Sequence, residues 1–159
     1  MLPPLLKTAS IRTLILSDQP MVLAALSQLL DLRADITLLP ESSVRGREVS
    51  EQLRILQPEV VLLDGTASGA GCMAALAAIN AEFPQLPVIL LAAQESRTYV
   101  LQAFKAGAAG YVLSMAGEVH IVNAIHEVYA GHLYLCPRIR RLILGRLLQV
   151  PRIGNRAAK

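Results

Sequence analysis

Five short apolar runs constrain this chain more than any other feature. They are IRTLIL (residues 11–16), ITLL (36–39), VVLL (60–63), PVILL (87–91) and GYVL (110–113). Their apolar residues are largely continuous rather than alternating, the pattern of strands covered on both faces of a parallel sheet. Between the runs lie stretches of helical character: MVLAALSQLLDL behind Pro20, SEQLRIL ahead of Pro58, an Ala-rich segment from Met73 to about Phe83, and residues 96–105 and 118–130. Pro20 suits a first helical turn, and Gly107 and Gly131 suit helix ends. Strand and helix therefore alternate five times, and right-handed crossovers place helices on both sides of the sheet. The expected fold is α/β: a doubly wound, five-stranded parallel sheet over residues 11–136, with ligands at the carboxyl ends of the strands. Residues 1–10 read as an N-terminal extension, 137–150 as a C-terminal amphipathic helix or linker, and 151–159 as a basic tail.

Composition narrows the functional classes. The chain is 53% hydrophobic but only 4% aromatic, so its core must be aliphatic. Charged residues make up 17%, below the usual quarter, which suggests that a partner covers some apolar surface. Cys72 and Cys136 are too few and too far apart for a disulfide framework or a zinc site and read as small buried residues. The start MLPPLLKTAS is broken by Pro3 and Pro4 and does not read as a signal peptide. No stretch reaches the ~20 apolar residues of a membrane span, so a cytoplasmic location is expected. Gly69 and Gly71 lie in a Gly-rich loop that no P-loop Lys-Ser/Thr follows. His120, His126 and His132 share no helical face, and no nucleophile elbow is present, so an enzyme is not expected. Net charge is +3, but unevenly spread. Residues 1–137 hold 8 Lys+Arg against 12 Asp+Glu, and residues 138–159 hold 7 Lys+Arg and no acid.

The strand ends bring together Ser17 and Asp18, then Asp64, then Ala92 and Ala93, then Ser114. In order and spacing they resemble a receiver domain of the CheY-like response-regulator superfamily, in particular those of NarL/FixJ (LuxR-type) regulators. The family's first strand ends in contexts such as V-D-D-H-P, and Leu16-Ser17-Asp18-Gln19-Pro20 stands there. VVLLD places Asp64 at the phospho-acceptor position. A Thr or Ser normally ends the fourth strand, where PVILLA has Ala92. A Lys normally ends the fifth, where GYVLS has Ser114. The aromatic three positions before it survives as Tyr111. The segments AFKAGAAGYVL and AIHEVYAGHLYLCP are also similar to the family, and the resemblance spans roughly residues 11–137.

The resemblance implies a flavodoxin/CheY-like fold and a signalling role, with Asp64 as phospho-acceptor and Asp18 and Asp64 as Mg²⁺ ligands. It also implies a degenerate site. Ser17 replaces one acid, Ala92 offers no hydroxyl and Ser114 no cation. A hydrogen bond to a charged group contributes ~1.5–3 kcal/mol, so two missing anchors forfeit about 3–6 kcal/mol. Moving a two-state equilibrium from 1:99 to 99:1 takes about 5.5 kcal/mol. The expectation is a pseudo-receiver without cofactor, or with weakly held Mg²⁺, that acts through protein contacts. The alternatives are a receiver phosphorylated on Asp64 by a histidine kinase, and a structural adaptor.

The stretch PRIRRLILGRLLQV carries Ile139, Leu142, Ile143 and Leu147 at helical spacing, with Arg138, Arg141 and Arg146 on other faces. It is expected to dock a protein partner or pair two chains. In NarL/FixJ-type regulators this segment leads to a helix-turn-helix domain of roughly 60 residues, which residues 151–159 cannot supply. DNA contact is expected only through such a domain, or weakly through the basic tail.

Overall fold

The computed structural model describes residues 9–40, 47–66 and 69–148. The strands β1 (Ile11–Leu16), β2 (Ile36–Leu38), β3 (Val60–Asp64), β4 (Val88–Ala92), β5 (Gly110–Leu113) and β6 (Tyr134–Leu135) form one sheet of order β2-β1-β3-β4-β5-β6. Every pairing is parallel. The helices are α1 (Pro20–Asp31), α2 (Arg47–Leu56), α3 (Gly69–Glu82), α4 (Arg97–Lys105), α5 (Glu118–Tyr129) and α6 (Pro137–Leu148).

The expected parallel α/β fold is present, with one strand more than expected. β6 is only two residues long and pairs with Gly110 and Tyr111 of β5. A run so short carries no periodicity, so hydrophobic pattern alone could not find it. The central strands β3, β4 and β5 are buried along their apolar residues, so the aliphatic core lies on both faces of the sheet. Residues 1–8, 41–46 and 149–159 lie outside the described residues, so the expectations for the N-terminal extension and basic tail fall largely there.

Two glycines stand where the chain is tightly packed. Gly65 follows Asp64, and its amide donates to the Leu91 carbonyl at 2.7 Å. A Cβ there would lie 2.9 Å from Leu90 Cδ1 and 3.1 Å from both Cys72 Sγ and the Leu91 carbonyl oxygen, so a larger residue would push these neighbours aside. Gly107 ends α4 with φ +107°, and a Cβ on it would overlap Asn80 of α3.

α6 is part of this core. It packs on α4 and β5, and Ile139 is fully buried. Ile139 is therefore spent inside the chain, which corrects its expected place on a partner-facing surface. Leu142 and Leu144 are partly exposed and Ile143 is half-buried. Arg138 Nε meets Glu95 Oε1 at 2.8 Å. The side chains of Arg146 and Leu147 lie outside the described set.

Ile139→Ala is expected to lower unfolding free energy by about 2–4 kcal/mol, the cost of emptying a fully buried aliphatic position. Urea denaturation of the full chain reads this directly. A loss below about 0.5 kcal/mol would show that α6 contributes nothing to the core.

Candidate receiver site

The carboxyl ends of β1 and β3 are in register, Leu16 beside Leu63, which sets Ser17 next to Asp64. Ser17 is buried, and its Oγ donates to Asp64 Oδ2 at 2.6 Å. The same oxygen accepts the Gln19 amide at 3.1 Å, turning the chain into α1. Gln19 is the N-cap residue of α1 but makes no side-chain cap bond. Its amide points to the site instead, donating from Nε2 to Asp64 Oδ2 at 3.1 Å and to Thr66 Oγ1 at 2.9 Å. Pro20 compensates at the helix start, because it has no N–H that needs a cap.

Thr66 completes the arrangement. Its backbone N–H and its hydroxyl both donate to Asp64 Oδ1, at 2.9 and 2.6 Å. Each carboxylate oxygen thus accepts two hydrogen bonds, from Ser17, Gln19 and Thr66. All four donors are uncharged, and together they occupy both carboxylate oxygens. Beneath it, burial, assisted by the Asp64 charge, pushes the Cys72 thiol up to about 11, so Cys72 stays neutral.

The expected positions divide into three groups. Ser17 and Asp64 are in direct contact. Asp18 is exposed and shares no hydrogen bond with Asp64. Ala92 is fully buried at the end of β4, and Ser114 is exposed just beyond β5, its amide donating to the Ala92 carbonyl at 2.8 Å. Gln19 and Thr66 were not foreseen as site residues. Gln19 directly follows Ser17-Asp18, and Thr66 lies two residues after Asp64 in the loop beyond β3. Those offsets were the available signal.

Tyr111 is fully buried. Its hydroxyl donates to the Gln94 carbonyl at 2.6 Å, and its ring meets Tyr99 edge-on, centroids 6.3 Å apart. Burial pushes the phenol far above its usual range, so it remains a donor. The histidines have separate partners: Tyr134 for His120, Asp35 for His126 and Glu127 for His132.

Mg²⁺, which the resemblance implies, fits this donor set poorly. A hard cation calls for several oxygen ligands, usually with carboxylates among them. Here the first acid of the pair is replaced by the buried Ser17 hydroxyl, the retained Asp18 is exposed, and both Asp64 oxygens already accept two donors. Among the described residues, no three His, Cys, Asp or Glu side chains group to hold a metal. Restoring the acid tests this account. Ser17→Asp places a carboxylate against Asp64 and is expected to destabilise the metal-free chain by about 1–3 kcal/mol, since both a donor is lost and like charges meet. Millimolar Mg²⁺ should recover thermal stability in the variant and leave the parent's melting unchanged. Equal Mg²⁺ stabilisation of both would show that the parent site already binds the cation.

Comparison with known proteins agrees with the fold. Residues 13–126 match the response regulator receiver domain. The response regulator GacA of Pseudomonas viridiflava is 31% identical over 147 residues, covering 91% of this chain and 67% of that protein. The nitrate/nitrite response regulator protein NarL of Escherichia coli is 25% identical over 134 residues, covering 84% and 62%. The chain thus spans about two thirds or less of these relatives. Among solved structures, a LuxR-family two-component response regulator from Aurantimonas sp. SI85-9A1 superposes with TM-score 0.79 at 24% identity, over 89% of this chain and all of that one. Salmonella typhimurium RcsB gives 0.75 at 18%, over 86% and 66%. Fold and sequence agree, and the chain belongs to the response regulator receiver domain family of two-component signalling.

Proposed function

We propose that this domain is a pseudo-receiver, which signals through protein–protein contacts in one fixed conformation rather than by phosphorylation. The observation that carries the reading is the saturated Asp64 carboxylate. An acyl phosphate on Asp64 would have to break the bonds from Ser17, Gln19 and Thr66. In exchange it would gain neither the lysine cation nor the β4 hydroxyl, since Ser114 and Ala92 occupy those positions.

The state of Tyr111 supports the same reading. In the receiver family this chain resembles, phosphorylation draws the aromatic at this position inward. Here it is already inward, with its hydroxyl satisfied by Gln94 and with Ala92 on the neighbouring strand. A ligand shifts an equilibrium only by its differential affinity for two states. If the inward state is already dominant, phosphate has little left to shift. Contact would then run through a constant surface. The outward residues of α6, Leu142 and Leu144 with Arg141, are the part of that surface we assign to a protein partner or a second copy. No helix among the described residues is long and apolar enough to cross a membrane.

One observation favours a second reading. Asp64 stands at the end of β3 and is only partly buried. A histidine kinase could then use it as a phospho-acceptor, with the Ser17 and Thr66 hydroxyls serving as donors to the phosphate.

Incubating the full chain with a small acyl phosphate and Mg²⁺ separates the two. The pseudo-receiver reading expects no stoichiometric phosphorylation by intact mass and an unchanged oligomeric state. Stoichiometric modification that Asp64→Asn abolishes, with altered oligomerisation, would establish the second reading instead.

A further inference from the structure

Losing the two switch side chains leaves space as well as missing chemistry. Ala92 and Ser114 both line a pocket of about 290 Å³ between the ends of β4 and β5 and the start of α6. Asp64 is not part of it. Its floor is apolar and buried, made by Ala92, Leu113 and Cys136. Its rim is polar, with Ser114, His120, Arg138, Arg141 and Glu95. Larger side chains at positions 92 and 114 would reduce this space.

The rim carries more positive charge than the chain neutralises. Glu95 is paired with Arg138. Arg141, one turn along α6 on the same pocket, has no carboxylate partner among the described residues. His120 is oriented by Tyr134, Nδ1 to the hydroxyl at 3.3 Å. The first turn of α6 also lines the pocket through Pro137 and Arg138. The first backbone N–H to find a carbonyl there is that of Arg140, bonded to Cys136 at 2.9 Å. The N–H groups of Arg138 and Ile139 have no acceptor among the described residues, and a helix start of this kind favours negative charge.

We propose that this pocket is a binding site for a small phosphate monoester with an apolar body. The phosphate is held at the rim by Arg141, His120, the Ser114 hydroxyl and the α6 amides, and the body rests on Ala92, Leu113 and Cys136. The size suits a single small ring and not a dinucleotide, because ligand pockets begin near this volume. The site is independent of Asp64, so it stands whichever reading of phosphorylation is correct. Because the pocket joins α6 to the sheet ends, an occupant would fix α6 and the outward residues assigned above to partner contact.

Phenyl phosphate and inorganic phosphate serve as probes, since neither is an acyl phosphate that could modify Asp64. Amide chemical shifts of the full chain are followed during titration at fixed ionic strength. Phenyl phosphate is expected to bind saturably, at least tenfold more tightly than inorganic phosphate, with shifts centred on residues 113–120 and 136–141. Arg141→Ala should weaken it tenfold or more, and His120→Ala less. Lys105→Ala and Asp64→Ala should leave it unchanged. Loss of binding in Asp64→Ala would move the site to the receiver pocket and overturn the proposal. So would unsaturable shifts spread over basic surfaces, or equal effects of Arg141→Ala and Lys105→Ala.

Discussion

Strands buried on both faces leave a chain only their ends for polar chemistry. β3, β4 and β5 are apolar along their length and covered on both sides by helices, so a charge within them would meet the full cost of desolvation. The parallel arrangement then aligns every carboxyl end on one edge. Ser17, Asp64, Ala92 and Ser114 are neighbours because β1, β3, β4 and β5 are adjacent in the sheet, though the first and last are almost a hundred residues apart. Both the receiver site and the pocket beside α6 follow from this single constraint. Polar groups gather at that edge, and small residues there open space.

The same constraint explains which parts of the structure were legible in the sequence. Continuous apolar runs report two-sided burial directly, so β1, β3, β4 and β5 could be placed to within a residue. Asp64 could be placed because it is the residue at which VVLLD leaves the core. β6 could not be found, since two residues define no period and its pairing with β5 is a long-range event. Gln19 and Thr66 escaped for a different reason. Their role depends on where two side chains point after turns, and a polar residue in a loop has many destinations. Ile139 shows the limit of periodicity. Helical spacing marked apolar residues on α6, but it could not say whether Ile139 meets the chain's own core or another molecule. Packing of α6 on α4 and β5 decided it.

The site holds a carboxylate whose four hydrogen bonds all come from uncharged donors. A second acid beside Asp64 would require a metal to offset repulsion. Serine removes that need and turns the neighbour into a donor at 2.6 Å. With Ser17 donating to Oδ2, Gln19 turns its side-chain amide inward to the same oxygen. Thr66 fills the opposite oxygen from the loop, held close by Gly65. The three residues form a connected set, with Gln19 bonded to both Asp64 and Thr66. In a partly buried setting such networks resist piecemeal change, because removing one member leaves others unpaired.

Bistability requires two arrangements of similar free energy that a charge can tip. In this chain the elements of one arrangement are already paired. The Tyr111 hydroxyl, which burial obliges to find an acceptor, has Gln94. Its ring has Tyr99, and the neighbouring Ala92 presents no hydroxyl that could prefer another position. An outward arrangement would expose a large ring, break a 2.6 Å hydrogen bond and leave a void beside β4. Phosphate is needed to stabilise the inward state only where that state is otherwise disfavoured. On the proposed pseudo-receiver reading, the inward state is self-sufficient, the landscape has one basin, and the domain works through its constant surface rather than through a capacity to change.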